Sequence, residues 1–429
     1  MAQETRLTRR MIGVLAARLP EARLDRVKDP RRVRGRRWEL RVVLKAVLVA
    51  MVAGCKSLAL AEALTTEMSG PLRKRLGIGR RIADTTMRGV LCALDPMTLR
   101  APLHDLVRSA HRRKALEPEG LPFGVVAMDG KSTAVPSCDD DYAQRQSQED
   151  GRLIGVVRTT TCTLISSRAK PCIDVLPIPA ATNEMGQFET SLRRLVRAYD
   201  GIQLFDMISY DAGACSAHNA DVVRELGLHY LLGLKSTQPT LLAEAQRLLA
   251  SLPPQRAVAS TEDVLGGPHT VLRRVYVTDQ MAAFGGWEHL RTVLRVESEK
   301  LDSRGRRLAY DNRYFLASLP AARLSSAQWL LLVRLHWGVE NNCPHTLDTA
   351  FEEDERPWIK SDPRGMLVVV LLRRMAYNLL TLFRSVTQRS AERRATPWRD
   401  LLRWFYNAII SATDVDLVAL RARKLAAPP

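Results

Sequence analysis

The chain has 429 residues, 46% of them hydrophobic and 26% charged, the balance of an ordinary globular protein with room for two or three domains. No apolar run approaches the roughly 20 residues that span a bilayer. Nor does an apolar core follow the charged start MAQETRLTRR, so neither a membrane span nor a signal peptide is expected and the expected location is cytoplasmic. Lys and Arg total 64 against 46 Asp and Glu, a net +18, and residues 1–37 alone hold twelve of the bases against four acids. Such an excess attracts polyanions, of which nucleic acid is the commonest in a cell, so the expected location is among nucleoid-associated proteins. The seven cysteines are odd in number and include no C-x-x-C pair, and the eight histidines form no H-x-x-x-H pair. A disulfide framework and a zinc site are therefore both unsupported.

Residues 1–118 read as a basic helical domain. Apolar residues recur at three- and four-residue spacing from Leu40 to Leu64, Gly70-Pro71 marks a break, and a second helical pattern runs from Thr85 to Ala110. Ahead of them lies the arm DPRRVRGRRW at 29–38, whose Arg31, Arg32, Arg34, Arg36 and Arg37 are candidates for phosphate contact.

The pattern changes at Pro122. The first part of an α/β core is placed at 119–251: FGVVAMDG, IGVVRTTTCTLI and KPCIDVLPI are strands, the last two a hairpin. Asn183 to Ala198 follows as a helix, LFDMISYDA as a strand, HNADVVRELG as a helix closed by its glycine, and HYLLGLK as another strand. This is the order of an RNase H-like mixed sheet flanked by helices. Residues 252–320 interrupt it with TVLRRVYVT, LRTVLRVES and NRYFLASL, a β-rich insertion. The core resumes at 321–387 with a helix carrying Arg334, His336, Trp337 and Glu340, then a long apolar helix at 366–384. A basic, mostly helical tail fills 388–429.

Three acids stand out. Asp129 follows the apolar run Val125–Met128 and precedes Gly130, while Asp211 ends Met207–Tyr210 and precedes Ala212-Gly213. Acids at strand ends beside small residues leave room for a phosphate, although either alone also suits a turn or a helix cap. Glu340, in HWGVENN, is placed on one helical face with His336, Trp337, Pro344 and Leu347. Three carboxylates on rigid elements are what a pair of hard divalent ions needs for displacement at phosphorus. GVVAMDGKS is no phosphate loop: its spacer is an apolar strand, with five residues between the glycines instead of four.

These segments resemble the bacterial insertion-sequence transposases of the DDE type, in the ISAs-type branch, over nearly the whole chain. DPRRVRGRRWELRVVLKAVLVAMVAGCKSLALAEAL is similar to the helical domain that precedes that family's catalytic core. VAMDGKS resembles its first-aspartate motif, ATNEMGQF its Asn-Glu element, YDAGACSAHNADVVRELGLHYLLGLKSTQPTL its second-aspartate block and RLHWGVENNCPHTLDTAFEEDE its glutamate block.

The resemblance implies a DNA transposase. Asp129, Asp211 and Glu340 would hold two Mg²⁺ or Mn²⁺ ions, with transposon ends and target DNA as partners and a homodimer or higher oligomer on DNA. Lys131, Lys235, Gln238, Arg334, His336 and Trp337 are the residues expected around the DNA or metal. Trp337 and Trp287 could stack on opened bases, although core packing is the commoner role for such a side chain. Departures from the family pattern are Ala134 where D-G-K-x-x-R has its Arg, Lys235-Ser236-Thr237-Gln238 for K-G-N-Q, and Pro344-His345-Thr346 in place of a second H-W. A domesticated DNA-binding protein without turnover and a nuclease that cuts without joining are the alternative readings.

Overall fold

A computed structural model describes residues 2–138, 140–264, 269–338 and 342–425. The N-terminal third is helical: α1 (Ala2–Arg18), α2 (Leu40–Val52), α3 (Leu58–Glu67), α4 (Gly70–Leu76), α5 (Asp84–Ala93) and α6 (Arg100–Arg112). The apolar stretch expected to run from Leu40 to Leu64 is two helices. Gly54 turns the chain at φ 76°, a conformation that costs a residue without Cβ little, and Ser57 restarts it by accepting from the Leu60 N–H at 3.2 Å. The second pattern likewise divides at Asp95-Pro96, where proline cannot continue the helical ladder.

Next come β1 (Val125–Pro136), β2 (Ala143–Ser147), β3 (Leu153–Leu164), β4 (Cys172–Ile178), α7 (Glu184–Ala198), β5 (Met207–Tyr210), α8 (Ala217–Glu225), β6 (His229–Leu234) and α9 (Pro239–Leu249). Then follow β7 (Ala259–Val264), β8 (Thr270–Thr278), β9 (Thr292–Leu301) and β10 (Arg307–Ala317). The chain ends in α10 (Ser326–Trp337), α11 (Cys343–Thr349), α12 (Pro363–Leu382), α13 (Ala391–Arg394), α14 (Trp398–Ser411) and α15 (Asp414–Leu425). The result is an α/β protein with fifteen α-helices and one ten-stranded mixed sheet among the described residues.

The sheet order is β2-β3-β1-β5-β6-β10-β9-β8-β7, with β4 also on β3. β1 and β3 are antiparallel, as are β3 and β4, while β1, β5 and β6 run parallel. That mixed pattern is consistent with an RNase H-like fold. The strands of 252–320 extend the same sheet: β10 pairs antiparallel with β6, and β9, β8 and β7 follow outward as a meander.

Alternation along the central strands separates two apolar layers. Val126, Met128, Ile208, Tyr210, Tyr230 and Leu232 pack with α7, α8 and α9 on one face. On the other face Val125, Ala127, Met207, Leu231 and Phe315 meet α10. A third core is shared between the N-terminal helices and the C-terminal ones: Val43, Val47 and Met51 of α2 cluster with Leu371 and Met375 of α12 and Phe405 of α14. By length and composition α12 is apolar enough to cross a membrane, but 94% of its most apolar window is buried inside the protein. Two charged residues on it, Arg373 and Arg374, are buried as well.

Candidate functional site

The two aspartates meet through strand register. Val125 lies opposite Met207, Val126 opposite Ile208 and Ala127 opposite Ser209, so two further residues along each parallel strand bring Asp129 abreast of Asp211. Neighbouring strands are about 4.8 Å apart. By the same alternation both side chains lie on the α10 face, and both line one cleft of about 590 Å³ together with Lys235, Arg313, His336 and Trp337.

Asp211 closes β5 as expected. Its Oδ1 accepts from the Gly213 N–H at 2.9 Å and caps a short 3-10 turn. Asp129 differs from expectation: it is not at a strand end, because β1 continues for seven residues to Pro136, with Asp129 opposite Thr161 of β3. The β-branched residues of β3 carry the polar half of β1 as a ladder partner, which a reading of GKSTAVP alone does not reveal.

His336 sits in the last turn of α10, its Nδ1 bonded to the Ser209 hydroxyl and its ring edge-on to Phe315 at 5.5 Å. Enclosure pushes its pKa down to about 4, with Asp211 pulling upward and Arg313 downward. The imidazole is therefore neutral at neutral pH and adds no positive charge beside Asp211. Trp337 forms a wall of the cleft with the Arg313 guanidinium 5.3 Å from its ring centre. Lys235 is exposed at the rim, and Gln238 ties the start of α9 to the loop after Asp211 by donating to the Cys215 carbonyl at 2.9 Å.

Other expected DNA contacts have protein partners. Arg334 turns away from the cleft to pair with Asp263 of β7 at 2.8 Å. Lys131 is held by Asp348, by Asp354 at 2.9 Å and by Glu353 at 3.4 Å. Burial pushes the Glu353 pKa up, but Arg374, Lys131 and Arg373 outweigh it and hold the carboxyl at about 2. Lys131 thus ties β1 to α11 and to the segment that follows it. In the arm, Arg31 forks onto Asp29 at 2.9 and 2.8 Å and reaches the Trp38 carbonyl at 2.8 Å. Arg36 folds back onto the Arg31 carbonyl at 2.9 Å and lies 3.5 Å from Asp29. Arg32, Arg34 and Arg37 face solvent. Trp287, only 4% exposed, packs in the core beneath α7–α9, so it is not a stacking platform.

The continuous helix expected around Glu340 is interrupted. α10 ends at Trp337 with Gly338 as its cap, and α11 starts only at Cys343, with Pro344 in its first turn, where a missing N–H is harmless. Glu340 lies outside the described residues; His336 and Trp337, which precede it, line the cleft. Among the described residues no group of three or more His, Cys, Asp or Glu is placed to hold a metal ion. Two hard carboxylates on one face of one cleft nevertheless fit Mg²⁺, which keeps several waters and takes one or two carboxylates beside a substrate phosphate.

One acid near the aspartates was not singled out from the sequence. Glu184 opens α7, capped by Asn183, and accepts a hydrogen bond from the Tyr210 hydroxyl. Burial raises its pKa, Tyr210 lowers it and Asp211 raises it further. The Asn-Glu pair at the start of an amphipathic helix is visible in sequence, but which strand ends it meets is a matter of topology.

Residues 22–107, about a fifth of the chain, match the family model described as DDE_Tnp_1-associated. No curated protein matches the chain.

Proposed function

We propose that the chain is a DNA transposase of the insertion-sequence kind, of the ISAs-type branch, that cleaves DNA at the ends of its element and joins the freed 3′-hydroxyl to target DNA. The observation that carries this reading is the placement of Asp129 abreast of Asp211 in one cleft, and the N-terminal family match supports it. Asp129 and Asp211, with Glu340 as the third acid of the sequence reading, would hold Mg²⁺ or Mn²⁺. The bound ions would supply charge stabilisation at the displaced and attacking oxygens and lower the pKa of attacking water. The remaining cleft residues bind and orient. Lys235 and Arg313 are cations that can neutralise phosphates, Trp337 offers a ring face to an unpaired base, and neutral His336 holds Ser209 beside Asp211 without competing with a cation. In the proposal DNA ends and target are the partners, handled by a homodimer or larger assembly.

Asp211→Asn keeps the cap to Gly213 while removing the charge. Cleavage of an end duplex in Mg²⁺ should fall by orders of magnitude, whereas binding measured without metal should persist, because phosphate contacts come from Lys and Arg. A variant that cuts as fast as wild type would reduce Asp211 to a turn residue. Wild-type protein that binds its ends but cuts them in neither Mg²⁺ nor Mn²⁺ would favour a domesticated binder.

A further inference from the structure

Glu184 touches the chain neighbours of both aspartates. Its carboxylate accepts from the hydroxyl of Tyr210, the residue before Asp211, and lies over Gly130, the residue after Asp129. A Cβ at position 130 would run into the Glu184 carboxyl group, well inside contact distance, so only glycine lets the acid settle there. One turn further along α7, Phe188 meets the same Tyr210 ring edge-on at 5.4 Å. Tyr210 is 1% exposed, on the sheet face opposite the one that carries Asp129 and Asp211. The N-terminus of α7 is thus pinned to the back of the β1–β5 pair at the level of the two acids.

We propose that Glu184 is a positioning residue: by gripping Tyr210 across Gly130 it fixes the spacing of Asp129 and Asp211 and so their grip on a divalent ion. This rests on the acid-site reading above. The position suits the task. A helix N-terminus stabilises a carboxylate, and the Tyr210 hydroxyl gives it a directed partner. Because the acid lies behind the strands, it acts on the ligands through their backbone neighbours.

The test uses Glu184→Gln, Glu184→Ala and Tyr210→Phe, each measured for metal-free thermal melting, for Mn²⁺ affinity by the electron spin resonance of free Mn²⁺, and for single-turnover cleavage. Glutamine still accepts from Tyr210 and should stay close to wild type. Glu184→Ala and Tyr210→Phe should each weaken Mn²⁺ binding by about 10- to 100-fold, the usual effect of removing support behind a metal ligand. The double variant should be no worse than the poorer single one, since both cut the same contact. Should Glu184→Ala fail to melt cooperatively, Tyr210→Phe carries the comparison alone. Loss of Mn²⁺ binding in Glu184→Gln as deep as in Asp211→Asn would make Glu184 a ligand and overturn the positioning role. Wild-type affinity in Tyr210→Phe would overturn it too. Wild-type protein that binds no Mn²⁺ would instead bring down the acid-site reading, and this inference with it.

Discussion

Five arginines crowd the arm at 31–37, yet its geometry divides them into two groups. Arg31 and Arg36 are spent on Asp29 and on carbonyls of the loop itself, and the Arg31 guanidinium holds the Asp29 carboxyl below its ordinary pKa. Arg32, Arg34 and Arg37 point to solvent. If the arm lies on duplex DNA, only the second group contributes counterion release. Each phosphate contact is worth about 0.9 in the slope of log affinity against log salt, so Arg32, Arg34 and Arg37 replaced together by Ala should flatten the slope by about 2.7. Replacing Arg31 and Arg36 should change it far less and instead lower the melting temperature by unfastening the loop. The assay is fluorescence anisotropy of a labelled end duplex across a KCl series without divalent metal. An unchanged slope in the triple variant would refute the arm as a DNA contact. A drop of about 1.8 in the Arg31/Arg36 variant would show that the loop trades its internal pairs for phosphates.

The buried Asp174 takes Arg100 at 2.5 Å and His104 at 3.0 Å, joining α6 to β4. Burial alone would raise its pKa, but His104 and Arg100 bring it to about 2 from 3.8. A folded pKa below the unfolded one means its stabilisation is present above about pH 4 and lost as pH falls toward 2. Asp174→Asn should therefore cost about 2 kcal/mol at pH 7 in urea unfolding and flatten the acid limb. An acid limb like that of wild type would show the pair contributes nothing. Trp287→Ala should destabilise by about 3–5 kcal/mol without changing DNA affinity. Trp337→Ala, at a half-buried ring packed against Phe315, should cost less stability than Trp287→Ala but weaken binding to unpaired ends by about 1–3 kcal/mol. The reverse assignment of effects would exchange their roles.

What the sequence made legible was local. The apolar run MISY stops at Asp211 because the chain turns there, so that acid could be placed at a strand end. Asn183 and Gly227 likewise bracket α7 and α8 close to where they fall. Contacts made across the fold were hidden. Nothing near Lys131 tells of Asp348 and Glu353 more than 200 residues away, and nothing near Glu184 tells of Gly130 and Tyr210. Trp287 sits among turn-forming residues, yet tertiary packing takes it inside. The strands of 252–320 were readable from their Val, Leu and Tyr content, but their continuation of the central sheet depends on β10 returning to β6, a pairing set by topology.

The core shared by α2, α12 and α14 has a consequence for synthesis. Between Arg112 and Pro363 the ribosome must add 250 residues, roughly 12–50 s of elongation at roughly 5–20 residues per second. Throughout that interval α2 has left the exit tunnel without the partner that will cover Val43, Val47 and Met51. Until α12 is made, the nascent chain therefore carries an apolar helical face only partly covered by α3 and α5. A chain cut short before α12 would leave that face uncovered, an exposed apolar patch of the kind that promotes aggregation.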